Sequence, residues 1–592
     1  MKQLCEKVRR RLGHISRPAA LLPPVLAAVI MQTAYGVPVW TMSPPALAGN
    51  RVCLGVIYYR MCAVTGRWVI SCIAVNLAGG LWGAANYFVL EFRGSPVMPW
   101  DFTALKTAAA VSSSYTFVPT GYMLAAAGVL VAAAVYFVHK KGTGHVGKSA
   151  RIAALAACCV CLVPVMRPSS LSAFGINTDV WDQAGAYRKG GALAVFLRNT
   201  EFLQVEKPRG LSRERVALLL GEQDDAGSRA TDDRLPNIIA IMNESWADLE
   251  EWDALELSRP VNGYISSLDN SVWGHVYTSV FGAGTSASEF EFLTGNSMAF
   301  LPSGSIPYQQ YILDYSPSLA QLLKDKGYET LAFHPGEIDS WQRNTAYPLL
   351  GFDKFKCEED MDVEKLSLHG YVSDYSDFDQ IIWEFEHRDS ERPLFLFNVT
   401  IQSHGSYTDE SYQSTIYPTD CPGRYPKAEQ YLSLVSETDA AFKKLVDYFS
   451  RQEEDTIIIM FGDHRPSIET EFLEKAWGLE GEGMTMEEYM RKFRTPYVIW
   501  ANFPLDIPRE EPADTSLNFL ALDLLKYAGI NGDEYHTFLD NFRQTIPALT
   551  FVGYTDSQGN AHSHLENNEY TRLIEDYQCV QYDRLFGADS AV

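Results

Sequence analysis

Apolar positions follow two regimes along this chain. Over residues 19–166, Ala, Val, Leu and aromatic residues run in long stretches, whereas from Arg167 onward shorter apolar runs are separated by charged and turn residues. A bilayer core needs roughly 20 apolar residues per helix, so the long stretches predict spans over residues 21–40, 68–90, 122–138 and 152–166. A weaker segment, residues 44–64, contains Asn50 and Arg60. In the second regime, continuous apolar runs at residues 237–242, 330–333, 394–399 and 456–461 predict buried strands. Helical patterns at residues 318–326, 374–388 and 425–452 alternate with them. That alternation predicts an α/β fold with a mainly parallel sheet sandwiched by helices, where ligands gather beyond the carboxyl ends of the strands. The chain has no internal repeat, which argues against solenoids and propellers.

Basic residues decide the topology. Lys2, Lys7, Arg9, Arg10, Arg11 and Arg17 precede the first span, and Lys140, Lys141, Lys148 and Arg151 precede the last. Both clusters are expected in the cytoplasm, which requires an even number of crossings between them. The weak segment must then be counted, giving five transmembrane helices and an extracytoplasmic domain after Arg167. A cleaved signal peptide is the alternative for the first segment, but its length and the further apolar segments favour a retained anchor. Phe92, Trp100 and Phe102 suit a connection lying along the outer membrane surface, near a lipid substrate. The expected division is a membrane domain over residues 1–167, a linker over 168–233 and a catalytic domain over 234–592. The linker carries a helical pattern at 179–197 and an exposed charged stretch at 224–233.

A net charge of -24 opposes nucleic-acid binding and means that an anionic substrate needs a local cation or arginine. Of 10 cysteines, only Cys357, Cys421 and Cys579 lie beyond the membrane part and its flanks, with no Cys-x-x-Cys pair. A disulfide framework and a structural zinc site are therefore not expected, although one disulfide among the three stays open.

Three separated segments place candidate metal ligands at strand ends: Glu244, Thr285 and the pair Asp463-His464. Hard oxygen ligands with one imidazole suit Mn²⁺, Mg²⁺ or Zn²⁺. Thr285 follows Gly282-Ala283-Gly284 and precedes Ser286-Ala287-Ser288-Glu289-Phe290-Glu291, the pattern of a helix start. Backbone N–H groups there favour a phosphoryl anion. The alternative role for Thr285 is a helix cap. A threonine hydroxyl acts as a nucleophile only when a metal ion or base activates it.

Asn243-Glu244-Ser245, Gly284-Thr285-Ser286 with Glu289-Phe290-Glu291, and Gly462-Asp463-His464 resemble the lipoteichoic acid synthase and phosphoglycerol transferase family, whose fold is similar to alkaline phosphatases and sulfatases. The resemblance implies one Mn²⁺ held by Glu244, Thr285, Asp463 and His464, with Thr285 as nucleophile. It also implies substrate contacts from His334, Trp341, Arg343 and His404. Arg343 can pair with phosphate bidentately, Trp341 can pack a glycerol face and His404 can exchange a proton. Core packing for Trp341 and a satisfied turn for His404 are the alternatives. The sequence departs from the family at Arg465-Pro466-Ser467, where Arg465 adds a second phosphate contact or Pro466 shapes the turn.

The implied reaction moves glycerophosphate from phosphatidylglycerol, through a covalent phospho-threonine, to a cell-surface glycan or growing glycerophosphate polymer. A phosphoethanolamine transferase is the nearest rival. A sulfatase fits less well, because no Cys-x-Pro-x-Arg or Ser-x-Pro-x-Arg surrounds Thr285, and a non-catalytic binding protein would not need the complete ligand set.

Overall fold

The computed structural model describes residues 17–93, 96–102, 117–139, 151–152, 155, 171–177, 183–200, 205–221, 235–251, 254–388, 391–478, 484–507 and 513–587. The chain forms two compact units, one chiefly of Met1–Phe102 and Thr116–Gln204, the other chiefly of Val205–Leu301 and Ser305–Val592.

In the first unit, helices form at Arg17–Ala34, Pro44–Thr65, Trp68–Arg93 and Gly121–His139. Among the described residues, two segments, Trp68–Phe92 and Gly121–His139, are long and apolar enough to cross a membrane. This falls short of the five expected spans. The stretch Leu22–Ala34 is apolar but short, and Pro44–Thr65 folds as a helix diluted by Asn50, Arg51 and Arg60. Most of the last expected span, the charged stretch at 224–233 and most of both basic clusters lie outside the described residues. Asn50 is buried and donates through Nδ2 to Ala46 O at 2.9 Å and Gly190 O at 2.6 Å, while its Oδ1 accepts from Ala194 N at 3.3 Å. The residue that weakens the hydropathy signal thus holds the chain where the helix expected at 179–197 is interrupted at Gly191, between Gln183–Gly190 and Ala192–Arg198.

The second unit is built on an eight-stranded sheet. Its strands in chain order are β1 (Asn237–Asn243), β2 (Ser271–Tyr277), β3 (Glu329–His334), β4 (Lys354–Cys357), the hairpin β5 (Ser367–Leu368) and β6 (Tyr371–Val372), β7 (Leu394–Val399), β8 (Thr456–Gly462), β9 (Arg494–Ala501) and β10 (Thr515–Ser516). The short strands β11 (Ala548–Leu549), β12 (Tyr554–Thr555) and β13 (Ala561–His562) make a separate sheet. The main sheet runs β10-β2-β9-β8-β1-β7-β3-β4, while β5 and β6 pair apart from it. All main-sheet pairings are parallel except those of β9 with β8 and β2, so β9 alone is reversed.

Successive strand residues point to opposite faces, and here both faces are apolar. Ile238, Ala240 and Met242 of β1 join one core with helix Thr285–Thr294. Ile239 and Ile241 join the other core with helices Asp374–Glu386 and Pro426–Phe449. The expected strands at 237–242, 330–333, 394–399 and 456–461 thus form four adjacent strands, with their carboxyl ends at one edge.

Close packing at that edge fixes Gly462. A Cβ there would sit 2.0 Å from Trp246 O and 3.0 Å from Thr495 Cβ, and backbone cannot yield as a flexible side chain would. Gly462→Ala is expected to destabilise this unit by about 3 kcal/mol, read as a lower urea midpoint. A midpoint equal to that of the wild type would show that the β1 and β8 ends are not held this closely.

Candidate active site

The parallel register of β1 and β8 sets Asn243 beside Gly462, so the next residues on both strands, Glu244 and Asp463, emerge side by side. Ligand atoms of Glu244, Asp463 and His464 all lie within 4.8 Å of one another, and all three side chains are buried. Asp463 Oδ1 accepts from Ser245 N at 2.7 Å and His464 N at 2.8 Å. Asp463 Oδ2 is buried without a hydrogen-bond donor among the described residues. His464 Nδ1 lies 3.1 Å from Arg465 O. A carbonyl only accepts, so a proton sits on Nδ1, while Nε2 faces Asp463 Oδ2 at 3.3 Å and Glu244 Oε1 at 3.7 Å.

Two carboxylates and one imidazole nitrogen therefore converge in a buried site. Burial first, and then the neighbouring Glu244 charge, push the Asp463 carboxyl above its usual range. A divalent cation removes both penalties, and two carboxylates with one imidazole are a donor set that fits it.

Thr285 faces this group. It is the first residue of helix Thr285–Thr294, while the cap position belongs to Gly284 at φ 105°, with no side-chain cap. The capping alternative is thereby removed. A side chain at Gly284 would be strained by that φ and would crowd Val280 at 3.0 Å. The Thr285 hydroxyl interacts with the Asp463 carboxylate, and Ser288 Oγ donates to Asp463 O at 2.6 Å.

Arg343 has a partner that sequence reasoning missed. Its Nε and Nη2 donate to Glu289 Oε1 at 3.0 and 2.6 Å, and Tyr347 Oη donates to Glu289 Oε2 at 2.6 Å. Glu289 lies one helical turn beyond Thr285, on the same side of its helix, but no local signal in the sequence points from Arg343 to it. His334 Nδ1 lies 2.8 Å from Val399 O, and burial followed by the Arg343 charge holds its pKa well below the usual histidine value. His334 is thus a neutral imidazole near Arg343 and His404. Trp341 is half-buried, with φ 55°, in the turn leading into Arg343, and it packs against the core on the Thr285 side of the sheet. His404 sits in the loop after β7, with Nδ1 3.1 Å from Tyr371 Oη.

Arg465 does not reach toward phosphate. It is fully buried, donates to Arg494 O and to Glu251 Oε2 at 3.1 Å, and lies 5.7 Å from the Trp477 ring centroid. The structure thus brings Glu244, Thr285, Asp463 and His464 together, and sets His334 within electrostatic reach of Arg343 and His404. Arg465 serves the fold.

The Sulfatase family model matches residues 236–530. The chain is 31% identical over 418 residues to the "Putative cyclic beta-1,2-glucan modification protein" of Rhizobium meliloti (strain 1021), covering 69% of this chain and 63% of that protein. It is 23% identical over 360 residues to the lipoteichoic acid synthase of Staphylococcus saprophyticus, covering 56% of this chain and 53% of that protein. The chain therefore spans less than two thirds of the length of either relative. The solved structure of Streptococcus pyogenes phosphoglycerol transferase GacH in complex with sn-glycerol-1-phosphate shares the fold, with a TM-score of 0.50 at 18% identity, over 64% of this chain and 95% of that one.

Glu291, also on the Thr285 helix, accepts from Met298 N at 2.8 Å and Ser279 Oγ at 2.7 Å. Burial nonetheless lifts its carboxyl from 4.5 to about 7. Between those values the folded state binds the extra proton, so stability falls as pH rises through this window. Glu291→Gln mimics the neutral acid. Thermal unfolding from pH 4 to 8 should show the wild type losing on the order of 2 kcal/mol relative to the variant as pH rises, and parallel curves would refute the shift.

Proposed function

We propose that the chain, whose residues 236–530 match the Sulfatase family model, is a membrane-anchored phosphoglycerol transferase working through Thr285. The observation that carries this reading is the placement of Thr285, uncapped at a helix start, against the buried Glu244, Asp463 and His464 cluster. The family's name does not make it a sulfatase. Thr285-Ser286-Ala287-Ser288-Glu289 offers neither the cysteine nor the x-Pro-x-Arg context of a sulfatase nucleophile. In this reading the two candidate spans belong to a five-helix membrane domain over residues 1–167, and residues 168–233 connect it to an extracytoplasmic catalytic domain over 234–592.

The donor is phosphatidylglycerol. Thr285 Oγ bonds to phosphorus as the bond to the diacylglycerol oxygen breaks, the proton lost by the Thr285 hydroxyl ends on that oxygen so that diacylglycerol leaves as the alcohol, and a glycerophospho-threonine remains. An acceptor hydroxyl then bonds to phosphorus as the Thr285 Oγ–P bond breaks, and His404 takes the hydroxyl proton. A bound divalent cation, Mn²⁺ in this proposal, would be held by Glu244, Thr285, Asp463 and His464 and would neutralise charge on the nucleophile and phosphate oxygens. Arg343, fixed on Glu289, supplies positive charge beside them. Trp341 and His334 line the glycerol end. The acceptor is a saccharide or a glycerophosphate chain, as the names of the Rhizobium and Staphylococcus relatives suggest.

Two measurements test this. Full-length protein with Mn²⁺ and labelled phosphatidylglycerol should release diacylglycerol and gain one glycerophosphate by intact mass, and Thr285→Ala should do neither. Turnover of phosphatidylethanolamine alone would reassign the donor, and no turnover of either lipid would reject the transferase. Separately, His464→Ala should bind Mn²⁺ at least about tenfold more weakly than wild type in calorimetric titration, and equal affinity would remove His464 from the cation site.

A further inference from the structure

We propose that Tyr371 is a positioning residue for His404: its hydroxyl holds the imidazole with the proton on Nδ1, so that Nε2 is the atom that accepts a proton. The inference rests on the role given to His404 above.

Strands β5 and β6 form a hairpin whose central residues are His369 and Gly370. Both have positive φ, 36° and 96°, as a two-residue hairpin turn requires. The hairpin lies against the loop that follows β7. His369 Nε2 donates to Gln402 O at 2.7 Å, and its ring stacks on Tyr407 with centroids 6.2 Å apart and planes inclined by 20°. Tyr407, itself at φ 54°, donates through its hydroxyl to Ser403 O at 2.7 Å. The loop is thus clamped on both sides of His404.

Between the clamps, three polar atoms form a triangle. Tyr371 Oη is 3.1 Å from His404 Nδ1 and donates to Gly405 O at 3.3 Å, while His404 Nδ1 is 3.0 Å from the same carbonyl. Gly405 O can only accept. With the tyrosine proton directed to that carbonyl, the tyrosine lone pair faces Nδ1, and a proton on Nδ1 satisfies both contacts. The opposite tautomer would set a bare nitrogen against a bare carbonyl oxygen. The Tyr371 and His404 rings, 5.3 Å apart and inclined by 55°, fix the orientation as well as the proton.

The consequence is felt when the acceptor hydroxyl enters. Its proton passes to Nε2 as its oxygen bonds to phosphorus and the Thr285 Oγ–P bond breaks, with the electron pair remaining on Oγ. The imidazolium so formed donates its Nδ1–H to two oxygens, Gly405 O and Tyr371 Oη, and both stabilise the charge. The other ionisable groups around this loop are His334 from β3, Arg343, and on the hairpin and loop side His369, Tyr407 and Asp409. Burial keeps His334 and His369 toward the neutral form, and Tyr371 is the hydroxyl bonded to His404 itself.

Tyr371→Phe in the full-length protein keeps the ring and removes the oxygen. Without substrate, carbethoxylation of His404 followed by peptide mass reports its protonation against pH. Its midpoint should fall by about half a pH unit or more, because the imidazolium loses an acceptor. With phosphatidylglycerol and acceptor, the variant should lose about tenfold in kcat with KM for the donor unchanged, and the Thr285 adduct should accumulate. A midpoint and kcat equal to wild type would overturn the inference while leaving the transferase reading intact. If wild type itself forms no Thr285 adduct, the transferase reading fails, and the midpoint shift alone then decides whether Tyr371 holds the His404 proton. A variant that has lost its fold would show a lowered melting temperature, in which case Tyr371→Trp, which keeps the ring packing but not the hydroxyl, must reproduce the midpoint shift or the inference falls.

Discussion

Two carboxylates and an imidazole buried at the ends of adjacent parallel strands are the constraint around which the catalytic unit is organised. Bringing Glu244 and Asp463 together out of water is unfavourable twice, through lost hydration and through mutual repulsion. The fold accepts that cost by making the geometry stiff. β1 and β8 are central in the sheet, both strand faces are covered, and the parallel register admits no slip without turning apolar residues toward the wrong core. Asp463 is fixed through one oxygen by Ser245 N and His464 N, and Ser245 adopts φ 56° beside it. Backbone strain of this kind persists where surrounding structure imposes it, and it clusters where function needs it.

A second buried charge group ties the Thr285 helix to the turn that carries Trp341. Glu289 and Arg343 are both almost fully buried, at 0% and 2% side-chain exposure, so neither can lose the other without leaving an uncompensated charge. Tyr347 completes the carboxylate's shell. Because Glu289 belongs to the Thr285 helix and Arg343 to the turn carrying Trp341, the pair makes Thr285 and the guanidinium one mechanical unit. It also changes what Arg343 can do. With Nε and Nη2 already committed to Glu289, the guanidinium is a fixed positive charge with a preset direction, and in the proposed reaction it would meet phosphate as such rather than as the free bidentate fork that its residue type suggests.

Much of this was legible before any coordinates, for a physical reason. Strands buried on both faces leave continuous apolar runs, and the polar residues that end them mark the carboxyl edge, so Glu244, Asp463 and His464 were found from local pattern. Long-range partnerships left no such trace. Arg343 with Glu289, Arg465 with Glu251 and Tyr371 with His404 join segments far apart in sequence, and nothing local distinguishes an arginine that meets substrate from one that meets a buried glutamate. Arg465 beside Asp463-His464 invited the first reading and follows the second. The membrane part shows a related limit. Asn50 lowers the hydropathy of its helix, yet it is a buried hydrogen-bonding centre within its unit, so composition undervalued a helix that packing supports.

The described site also divides by the kind of backbone that carries it. Glu244, Asp463 and His334 sit on or directly after central strands, where hydrogen-bonded neighbours restrict movement. Trp341, Gln342, His369 and Tyr407 occupy turns and loops at φ between 36° and 63°, conformations that side-chain-bearing residues hold only when neighbouring contacts impose them. A transferase must bind one phosphate geometry but meet different acceptors. Rigid strand ends suit the first task, and loops braced by specific contacts suit the second, because a loop can change its residues without disturbing the sheet. Under the proposed function, acceptor choice is therefore expected to reside in the 338–343 turn, the 367–372 hairpin and the 402–407 loop, while the chemistry of phosphoryl transfer would stay with the strands.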